Sequence, residues 1–352
     1  MNKKKSQKLY LGWDVGGAHT KLSVIKPNSS SFHIYRCHLW ESLDLLSKLV
    51  NSVCSKYNKR FIIINVITMS GEMSDIFKSR DQGVKDILNI FKSRGDENYV
   101  FSSKKPFFFK PKAITNTKSV SSMNWLATAK FLETCVNNAI AVDIGSTTTD
   151  IIIIKNGVCK NMGYDDFSRL SRSELIYTGI LRTPLFAVTN QVINSKHRFP
   201  VIPEYFSNMS DIYRIMSDID SRKDYSNSCD HRGKTYMNSL VRFARSLGFD
   251  YQPQHERKLK NLAKEIKLIQ KSFIMEKIIA TMENNFLKKE KINLIGLGIG
   301  SFLVREICHK TKLAYKDFNT FYNGNANKLF LPSDIAPAYS ISMLLKFKNE
   351  QN

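Results

Sequence analysis

The first 70 residues combine strand-like and helix-like patterns of hydrophobic positions. The segment 9–15 is mostly apolar, a glycine turn follows, and 20–25 and 31–37 alternate as two further strands. At 40–57 the apolar residues recur at helical spacing, and 60–70 is a β-branched run typical of a buried strand. Strand–helix–strand alternation implies a crossover connection, so this part of the chain is predicted to be an α/β lobe.

The same layout returns in the middle of the chain. An apolar strand leads into Asp143, a turn follows at Gly145, and a threonine-rich segment runs back into 151–154. The pair Asn156–Gly157 then signals a tight hairpin. Because the opening segment has the same order around Asp14, a duplicated half-domain is the simplest organisation.

Other segments carry weaker patterns. Helices are predicted at 122–134 and 257–287, and 292–307 is interpreted as a strand, a glycine turn and the start of a helix. The segment 100–118, rich in Lys, Pro and Phe, is interpreted as an edge strand or a connection between lobes. A closing helix is predicted at 333–347, with Ser333 or Asp334 as its cap.

The length of the chain bounds its domain organisation. A sequence of 352 residues is long enough for two lobes, each with its own core. We predict a first lobe at 1–118 plus about 335–352, and a second at 119–334 with an insert at about 164–290.

The charge of the chain is strongly positive. A formal net charge of +22 attracts polyanions, but the lysines are spread along the chain and no RNA-binding signature with interleaved aromatic residues is found. Nucleic acid is therefore not the expected partner. Positive potential serves a small phosphorylated substrate equally well.

Cysteine usage and hydropathy indicate the compartment. The six cysteines form no CxxC pair, so we expect reduced thiols and no structural zinc site. No apolar stretch approaches the roughly 20 residues that span a bilayer, and the basic start lacks an apolar run of signal length. We expect a cytoplasmic protein without a membrane partner; an oligomer stays open.

The two DxG turns suggest the chemistry. A strand that ends in Asp, followed by small residues and hydroxyls, places a carboxylate beside backbone N–H groups, which suits hydrated Mg²⁺ and a phosphate. A single DxG is more often an ordinary turn. Two copies in matching contexts, with a third glycine turn "GLGIGS" at 296–301 opening a helix, favour an anion site.

This ordered trio resembles the sugar-kinase, heat-shock-chaperone and actin superfamily, in which two phosphate loops face each other across a cleft. The resemblance implies an α/β, two-lobed actin-like ATPase (ribonuclease H-like) fold with a duplicated βββαβα core. The residues that it implies are Asp14, Gly16, Gly17, Thr20 and Lys21 in the first loop, Asp143, Gly145, Ser146, Thr147 and Thr148 in the second, and Gly298, Gly300 and Ser301 in the late turn.

A narrower resemblance rests on "LSRSELIYTGILRTPLFAV" at 170–188, together with "TMSGEMSDIF" at 68–77, "NWLATA" at 124–129 and "DHRGKT" at 230–235. These segments are similar to a hydantoinase- and oxoprolinase-type family linked to tetrahydromethanopterin-dependent one-carbon transfer. Its characterised member builds the aminomethylfuran ether of methanofuran. The resemblance covers about 9–345 and departs at His19, where the family is expected to have Asn.

That resemblance implies a transferase. The phenol of γ-glutamyltyramine attacks the methylene of an aminomethylfuran methyl diphosphate, and pyrophosphate leaves. Asp14 and Asp143 would be metal or water-shell ligands for Mg²⁺, while ATP is not required and stays open as a ligand. Arg172 or Arg182 would hold a phosphate oxygen. Glu174 is the candidate either for the base that faces the phenol or for the group that holds the substrate amine, with a helix N-terminal role as the alternative.

Several other residues have two interpretations. Glu72 in "SGEMSD" either belongs to the site or only starts a helix capped by Ser70 or Ser74. Asp150 either faces the metal's outer shell or points to solvent. Lys234, with Arg232, either reaches an anionic substrate tail or lies in a surface loop. Trp125 and Tyr177 are predicted to be core residues rather than stacking partners for a furan.

Two rival functions accompany the transferase. One is an ATP-dependent small-molecule kinase or ATPase of the same superfamily. The other is a nucleotide-gated scaffold that closes to hold a partner. The match at 170–188 lies outside the nucleotide loops and favours the transferase.

Overall fold

The computed structural model describes residues 7–105, 107–111, 115–194, 197–287, 290–324 and 329–351. The chain forms two compact units. Unit 1 comprises Met1–Asn137, Ile152–Arg169 and Phe318–Asn352, and unit 2 comprises Asn138–Ile151 and Leu170–Asp317. These limits differ from the predicted lobe boundaries, because 119–137, 152–169 and 318–334 belong to the first unit.

Unit 1 contains a six-stranded mixed sheet. Its strands are β1 (Gln7–Val15), β2 (His19–Ile25), β3 (Ser30–Arg36), β4 (Phe61–Met69), β5 (Glu97–Phe101) and β6 (Phe108–Phe109), in the order β3-β2-β1-β4-β5-β6. Its longer helices are α1 (Leu43–Tyr57), α2 (Arg80–Phe91), α3 (Asn124–Glu133) and α10 (Ala336–Gln351). The short β6 confirms the edge-strand interpretation of this part of 100–118, while Pro106 and 112–114 lie outside the described residues.

Alternation along β1 explains how this sheet is covered on both faces. Leu9, Leu11 and Trp13 join one cluster with apolar residues of α1 and α2. On the opposite face, Tyr10 is bonded by Asn349 of α10, whose Nδ2 lies 3.3 Å from the tyrosine hydroxyl. Helix α3 packs against α10, and the ring centroids of Phe131 in α3 and Tyr339 in α10 are 5.4 Å apart.

A second sheet has the order β10-β8-β7-β13-β14, with β9 paired to β8. Its strands are β7 (Ala139–Ile144), β8 (Thr149–Lys155), β9 (Val158–Cys159), β10 (Leu175–Ile176), β13 (Asn293–Leu297) and β14 (Ala314–Asp317). Asn156 and Gly157 have φ of 54° and 71° between β8 and β9, so the predicted hairpin is confirmed.

The insert of unit 2 is mainly helical. It contains α5 (Leu185–Val188), α6 (Met209–Ile215), α7 (Tyr236–Ser246), the long α8 (Glu256–Asn285) and a hairpin of β11 (Gln191–Asn194) and β12 (His197–Pro200). Helix α4 (Asp166–Ser171) crosses the unit boundary, and α9 (Ser301–Thr311) follows β13. The predicted strand, glycine turn and helix at 292–307 are thus confirmed.

The two sheets repeat one design. In each, a strand with Asp as its next-to-last residue is followed by a hairpin partner and is flanked on its other side by a parallel strand, β4 in unit 1 and β13 in unit 2. The predicted α/β actin-like fold with a duplicated core is confirmed. The closing helix differs from the prediction at its start, because a 3₁₀ turn at Pro332–Ile335 precedes it and Asp334 accepts a hydrogen bond from the Leu331 N–H there.

Candidate functional site

The first loop joins β1 to β2. The Gly16 N–H donates to the carbonyl of His19 over 3.1 Å, which closes the turn through the main chain. Asp14 is 3% exposed and lies opposite Lys21 in the strand pair, with Nζ 3.9 Å from Oδ2. This loop therefore offers a buried carboxylate, a cation and half-buried glycines.

The residues after β4 pack directly on this loop. The N–H groups of Ser70 and Gly71 both donate to the Val15 carbonyl, over 3.0 and 2.9 Å. A Cβ built on Gly71 would lie 2.9 Å from the carbonyl carbon of Gly16, so the two main chains touch. Parallel strands end at the same edge of a sheet, which explains why these segments meet.

Glu72 is buried in this segment rather than placed in a helix. The interpretation as a helix start is wrong, because α2 begins at Arg80 with Ser79 as its cap, and residues 71–79 form turns. Glu72 is 0% exposed, and its Oε1 accepts hydrogen bonds from Ser121 Oγ at 2.5 Å and Ser122 Oγ at 2.8 Å.

His19 occupies a buried, polar corner of the first loop. It is 7% exposed, and its ring lies edge-on to the His38 ring with centroids 6.3 Å apart. Arg36 Nε donates to His38 Nε2 over 3.2 Å, and His38 Nδ1 lies 2.8 Å from Glu41 Oε1. The loop hydrogen bond itself uses only the His19 carbonyl.

The second loop joins β7 to β8 by the same turn. The Gly145 N–H donates to the Thr148 carbonyl over 2.9 Å. Ser146 Oγ and Thr147 Oγ1 are 3.4 Å apart and half-exposed, so two hydroxyls lie together at an accessible position. Asp143, just before the turn, is 8% exposed.

The late glycine turn packs against this second loop. Strand β13 runs parallel to β7 with Leu297 opposite Asp143, and the Gly300 N–H donates to the Ile144 carbonyl over 2.9 Å. Gly298 has φ +73°, and a Cβ there would lie 2.4 Å from Asp143 Oδ1. Only glycine fits this position, for both reasons.

The segment 174–183 forms the other wall of the second loop. Strand β10 pairs with β8, with Leu175 opposite Asp150. The Ile180 N–H then donates to the Gly145 carbonyl over 3.0 Å, and the Arg182 N–H to the Ser146 carbonyl over 2.9 Å. The distinctive sequence motif at 170–188 is thus hydrogen-bonded through its main chain to the second loop.

Gln270 of α8 holds the segment 174–183 in place through side-chain hydrogen bonds. Its Nε2 donates to Thr178 Oγ1 over 2.7 Å and to the Gly179 carbonyl over 3.0 Å, and Tyr213 donates to its Oε1. Gly179 in turn is so close to the loop that a Cβ there would lie 2.6 Å from the Thr147 nitrogen. Sequence reasoning missed Gln270, since a single glutamine in a long polar helix carries no local signal.

Within unit 2 the structure brings together Asp143, the loop 145–148, the late turn with Ser301 at the start of α9, and the Arg182 main chain. Glu174 is 6% exposed, and its carbonyl accepts from the Ile151 N–H over 2.8 Å. Arg172 and Arg182 are exposed. Thr20 in unit 1 is fully buried, which leaves its hydroxyl away from solvent.

The two residues predicted to lie in the core differ in their exposure to solvent. Trp125 is 2% exposed, as predicted, but Tyr177 is 65% exposed, so its assignment to the core is wrong. Lys234 is engaged within unit 2, because its Nζ lies 2.5 Å from the Asp224 carbonyl oxygen and 3.7 Å from Asp224 Oδ1. The motif "DHRGKT" therefore takes part in a polar network of the insert.

That polar network centres on a buried arginine. Arg242 is 0% exposed, and its Nε and Nη2 donate to Asp211 Oδ1 over 2.9 and 2.7 Å, while Nη1 donates to Asp230 over 3.0 Å. Arg214 bridges Asp211 and Asp224. A network with matched charges tolerates burial because each charge has partners.

Two further properties bear on the candidate chemistry. Across the described ranges, no group of three or more His, Cys, Asp or Glu residues is placed to hold a metal ion. In the same part of the chain, no helix combines the length and the apolar character of a membrane-spanning segment.

Comparison of the sequence with known protein families identifies the class of protein. The model of the hydantoinase/oxoprolinase family matches residues 64–319. The chain belongs to this family.

Two archaeal relatives share the name (4-{4-[2-(gamma-L-glutamylamino)ethyl]phenoxymethyl}furan-2-yl)methanamine synthase. The protein of Methanocaldococcus jannaschii is 32% identical over 263 residues, which cover 73% of this chain and 77% of the relative. That of Methanococcus vannielii is 32% identical over 219 residues, which cover 61% and 93%.

Similar solved structures are more distant. Nucleotide-free acetone carboxylase has a TM-score of 0.49 at 9% identity, covering 85% of this chain and 66% of that chain. The ethanolamine utilization protein EutJ from Carboxydothermus hydrogenoformans has a TM-score of 0.42 at 12% identity, covering 97% and 91%.

Proposed function

We propose that this protein is an alkyl transferase that forms an aryl ether in methanofuran-type cofactor biosynthesis. The observation that carries the proposal is the main-chain bonding of the motif at 174–183 to the second DxG loop, in a chain related to two named synthases. The product named for those relatives contains a phenoxymethyl link between a tyramine-type phenol and a furan. Joining these two parts creates one carbon–oxygen bond.

The proposed reaction is a substitution at the furan methylene. The phenolic oxygen of a γ-glutamyltyramine-type substrate forms the new bond to that carbon, and the bond from the carbon to the diphosphate oxygen breaks. Pyrophosphate leaves with the bonding electrons, and the phenolic proton passes to a base. The protein must therefore neutralise a leaving anion and orient a phenol.

The second loop is our proposed diphosphate site. The hydroxyls of Ser146 and Thr147 are half-exposed and adjacent. In the same unit, α9 begins at Ser301, shortly after β13, the strand that pairs with β7. Helix N-termini and hydroxyl groups bind phosphate oxygens well. Arg182, whose main chain is bonded to Ser146, supplies a cation beside the loop.

Mg²⁺ fits this loop as a partner of the diphosphate. Asp143 supplies one carboxylate, and any residue other than glycine at 298 would crowd its Oδ1. One or two carboxylates with substrate phosphates and waters are the usual Mg²⁺ ligands. Asp143 would hold the ion, which when bound would neutralise charge on the leaving group. ATP is not needed for this proposal.

Glu174 is our candidate for the base that receives the phenolic proton. It is a buried carboxylate in the wall of the second loop, and it lies outside the helices, since α4 ends at Ser171 and β10 begins at Leu175. Its interpretation as a helix N-terminal carboxylate is thus wrong. A positioned base typically contributes about 10²–10⁴-fold to a rate.

The first loop has the same turn, and we propose an anion or metal-water ligand for it too. Asp14 with Lys21 and the N–H groups of a glycine turn are suitable for that role. Thr20, which the resemblance implied as a residue of this loop, is fully buried, and we assign it no role in the proposed reaction.

Incubation with defined substrates tests the proposed function. Purified protein and Mg²⁺ receive the aminomethylfuran methyl diphosphate and γ-glutamyltyramine without ATP. Stoichiometric release of pyrophosphate with formation of the ether is expected. Consumption of added ATP with no ether formed would instead support a kinase or ATPase, and nucleotide binding without any turnover would support a scaffold.

A further inference from the structure

Glu72 combines full burial with an incomplete set of partners. Two neutral serine hydroxyls occupy its Oε1, as described above. Among the residues that the structure describes, its Oε2 is buried and has no hydrogen-bond partner. An ionised carboxylate is costly to bury unless a cation or several donors compensate it. Within that part of the chain, the Glu72 carboxylate therefore lacks a cation or a hydrogen-bond donor at Oε2.

The position of Glu72 ties it to the first loop. Its neighbour Gly71 touches Gly16, and a Cβ on Gly17 would lie 3.0 Å from Ser74 Oγ. The alternative of a solvated carboxylate at a helix start is excluded, because α2 begins at Arg80. Met73 is 46% exposed, so the surface lies one residue away along a segment of turns.

The supporting serines are held in a specific arrangement. Ser122 has φ +53°, in the left-handed region that residues other than glycine seldom adopt. Its hydroxyl and that of Ser121 point to the same oxygen of Glu72. The second oxygen is left for a further ligand.

We propose that Glu72 binds the primary ammonium group of a substrate through Oε2. The inference rests on the proposed function, since the product named for the relatives has two amino groups, the furan methanamine and the γ-glutamyl α-amine. An ammonium group supplies both the charge and the N–H donors that Oε2 lacks.

Binding of small probes tests this site without turnover. The first pair of probes is 2-(aminomethyl)furan and furfuryl alcohol, which lacks the amine. The second pair is γ-glutamyltyramine and its glutaryl counterpart, which lacks the α-amine. Wild-type protein should bind the amine-bearing member of at least one pair about 10- to 100-fold more tightly, as expected for a charge-assisted hydrogen bond. The pair that shows the preference identifies which amine is bound.

The variant Glu72→Gln should abolish that preference, while the exposed control Glu204→Gln should keep it. Glu72→Gln should also leave the melting temperature of the ligand-free protein unchanged or raise it, because the amide keeps the volume of the side chain and its oxygen can still accept from both serine hydroxyls. A marked loss of stability would assign Glu72 a structural role and overturn the proposal. So would a wild-type protein that prefers neither amine, or a Glu72→Gln protein that retains the preference.

The outcome is separable from that of the proposed function. Amine preference that depends on Glu72, without pyrophosphate release, would retain this site and remove the transferase. Pyrophosphate release by a protein whose amine preference ignores Glu72 would do the reverse.

Discussion

Gly298 and Asp143 are in direct contact across two parallel strands, with space for no side chain between them. A Cβ on Gly298 would lie 2.4 Å from Asp143 Oδ1 and equally close to the Ile144 carbonyl oxygen. The late glycine turn thus determines where the carboxylate of the second loop can lie.

Gly298→Ala should displace the Asp143 carboxylate and reduce pyrophosphate release at least about 100-fold, since the new methyl group has no room to shift. A matched control is Gly248→Ala, because Gly248 also has a positive φ of +83° but its nearest contact is an Ile202 methyl at 3.6 Å. Both variants bear backbone strain, so steady-state kinetics and melting temperature together separate strain from crowding. Equal kinetic effects would contradict the proposed role of the contact.

Asp143→Asn should lower turnover by orders of magnitude while the protein stays folded, because the amide keeps the volume and loses the charge. The control is the exposed Asp250→Asn. Pyrophosphate release is measured over a range of Mg²⁺ concentrations. Unchanged activity at saturating Mg²⁺ would remove Asp143 from the site.

Gln270→Leu should weaken pyrophosphate binding without any contact to the ligand. The substitution removes the donors to Thr178 and Gly179, and leaving buried acceptors unpaired costs about 1–3 kcal/mol. Calorimetric titration with pyrophosphate and Mg²⁺ should show a higher dissociation constant, and urea unfolding a lower midpoint. Gln254→Leu, at an exposed position, serves as control and should change neither. A lower midpoint with unaltered pyrophosphate affinity would limit Gln270 to stability.

His19→Asn should retain turnover within about threefold. The loop is closed by the His19 carbonyl, which any residue provides, whereas Gly16→Ala would place a Cβ 2.8 Å from that carbonyl oxygen and should impair the loop. Initial rates of both variants under identical conditions check this. Loss of activity in His19→Asn comparable to Gly16→Ala would show that the imidazole itself is required.

The unfolding free energy should fall as pH rises from about 9 to about 11. Burial raises the pKa of the Cys308 thiol from 9.0 to about 11, and burial is also the main cause that raises the pKa of Cys229 to about 11. Between these values the unfolded chain releases protons that the folded chain keeps, so the unfolded state binds fewer protons and gains population. Urea unfolding at pH 8 and pH 10.5 measures the decline. The double variant Cys229→Ala/Cys308→Ala should show a smaller decline, and an equal one would refute the assignment.

Much of the fold is encoded in local patterns. The helical spacing at 40–57 and the β-branched run at 60–70 correspond to α1 and β4, and the Asn156–Gly157 turn lies where its dipeptide predicts. These features depend on residues that are close in sequence, so periodicity and turn chemistry are sufficient to find them. The repeated loops are also visible, because Asp and Gly recur in the same order.

The surroundings of the loops depend on residues far apart in sequence. Ser121 and Ser122 meet Glu72 across about 50 positions, and Gln270 reaches Thr178 across 92. No local pattern distinguishes such a buried carboxylate from one at a helix start, so the two interpretations of Glu72 stayed open. Tyr177 shows the reverse case, an aromatic residue that its motif leaves exposed.

The repeated turn is closed by main-chain atoms in both units, which leaves its side chains free to diverge. Where the first copy has Gly17, Ala18 and Lys21, the second has Ser146, Thr147 and Asp150. The first copy thus pairs its aspartate with a lysine, whereas the second carries four hydroxyl residues between two aspartates. One backbone turn therefore presents two different sets of side chains, and exchanging these sets between the copies would show how far the two loops differ in ligand binding.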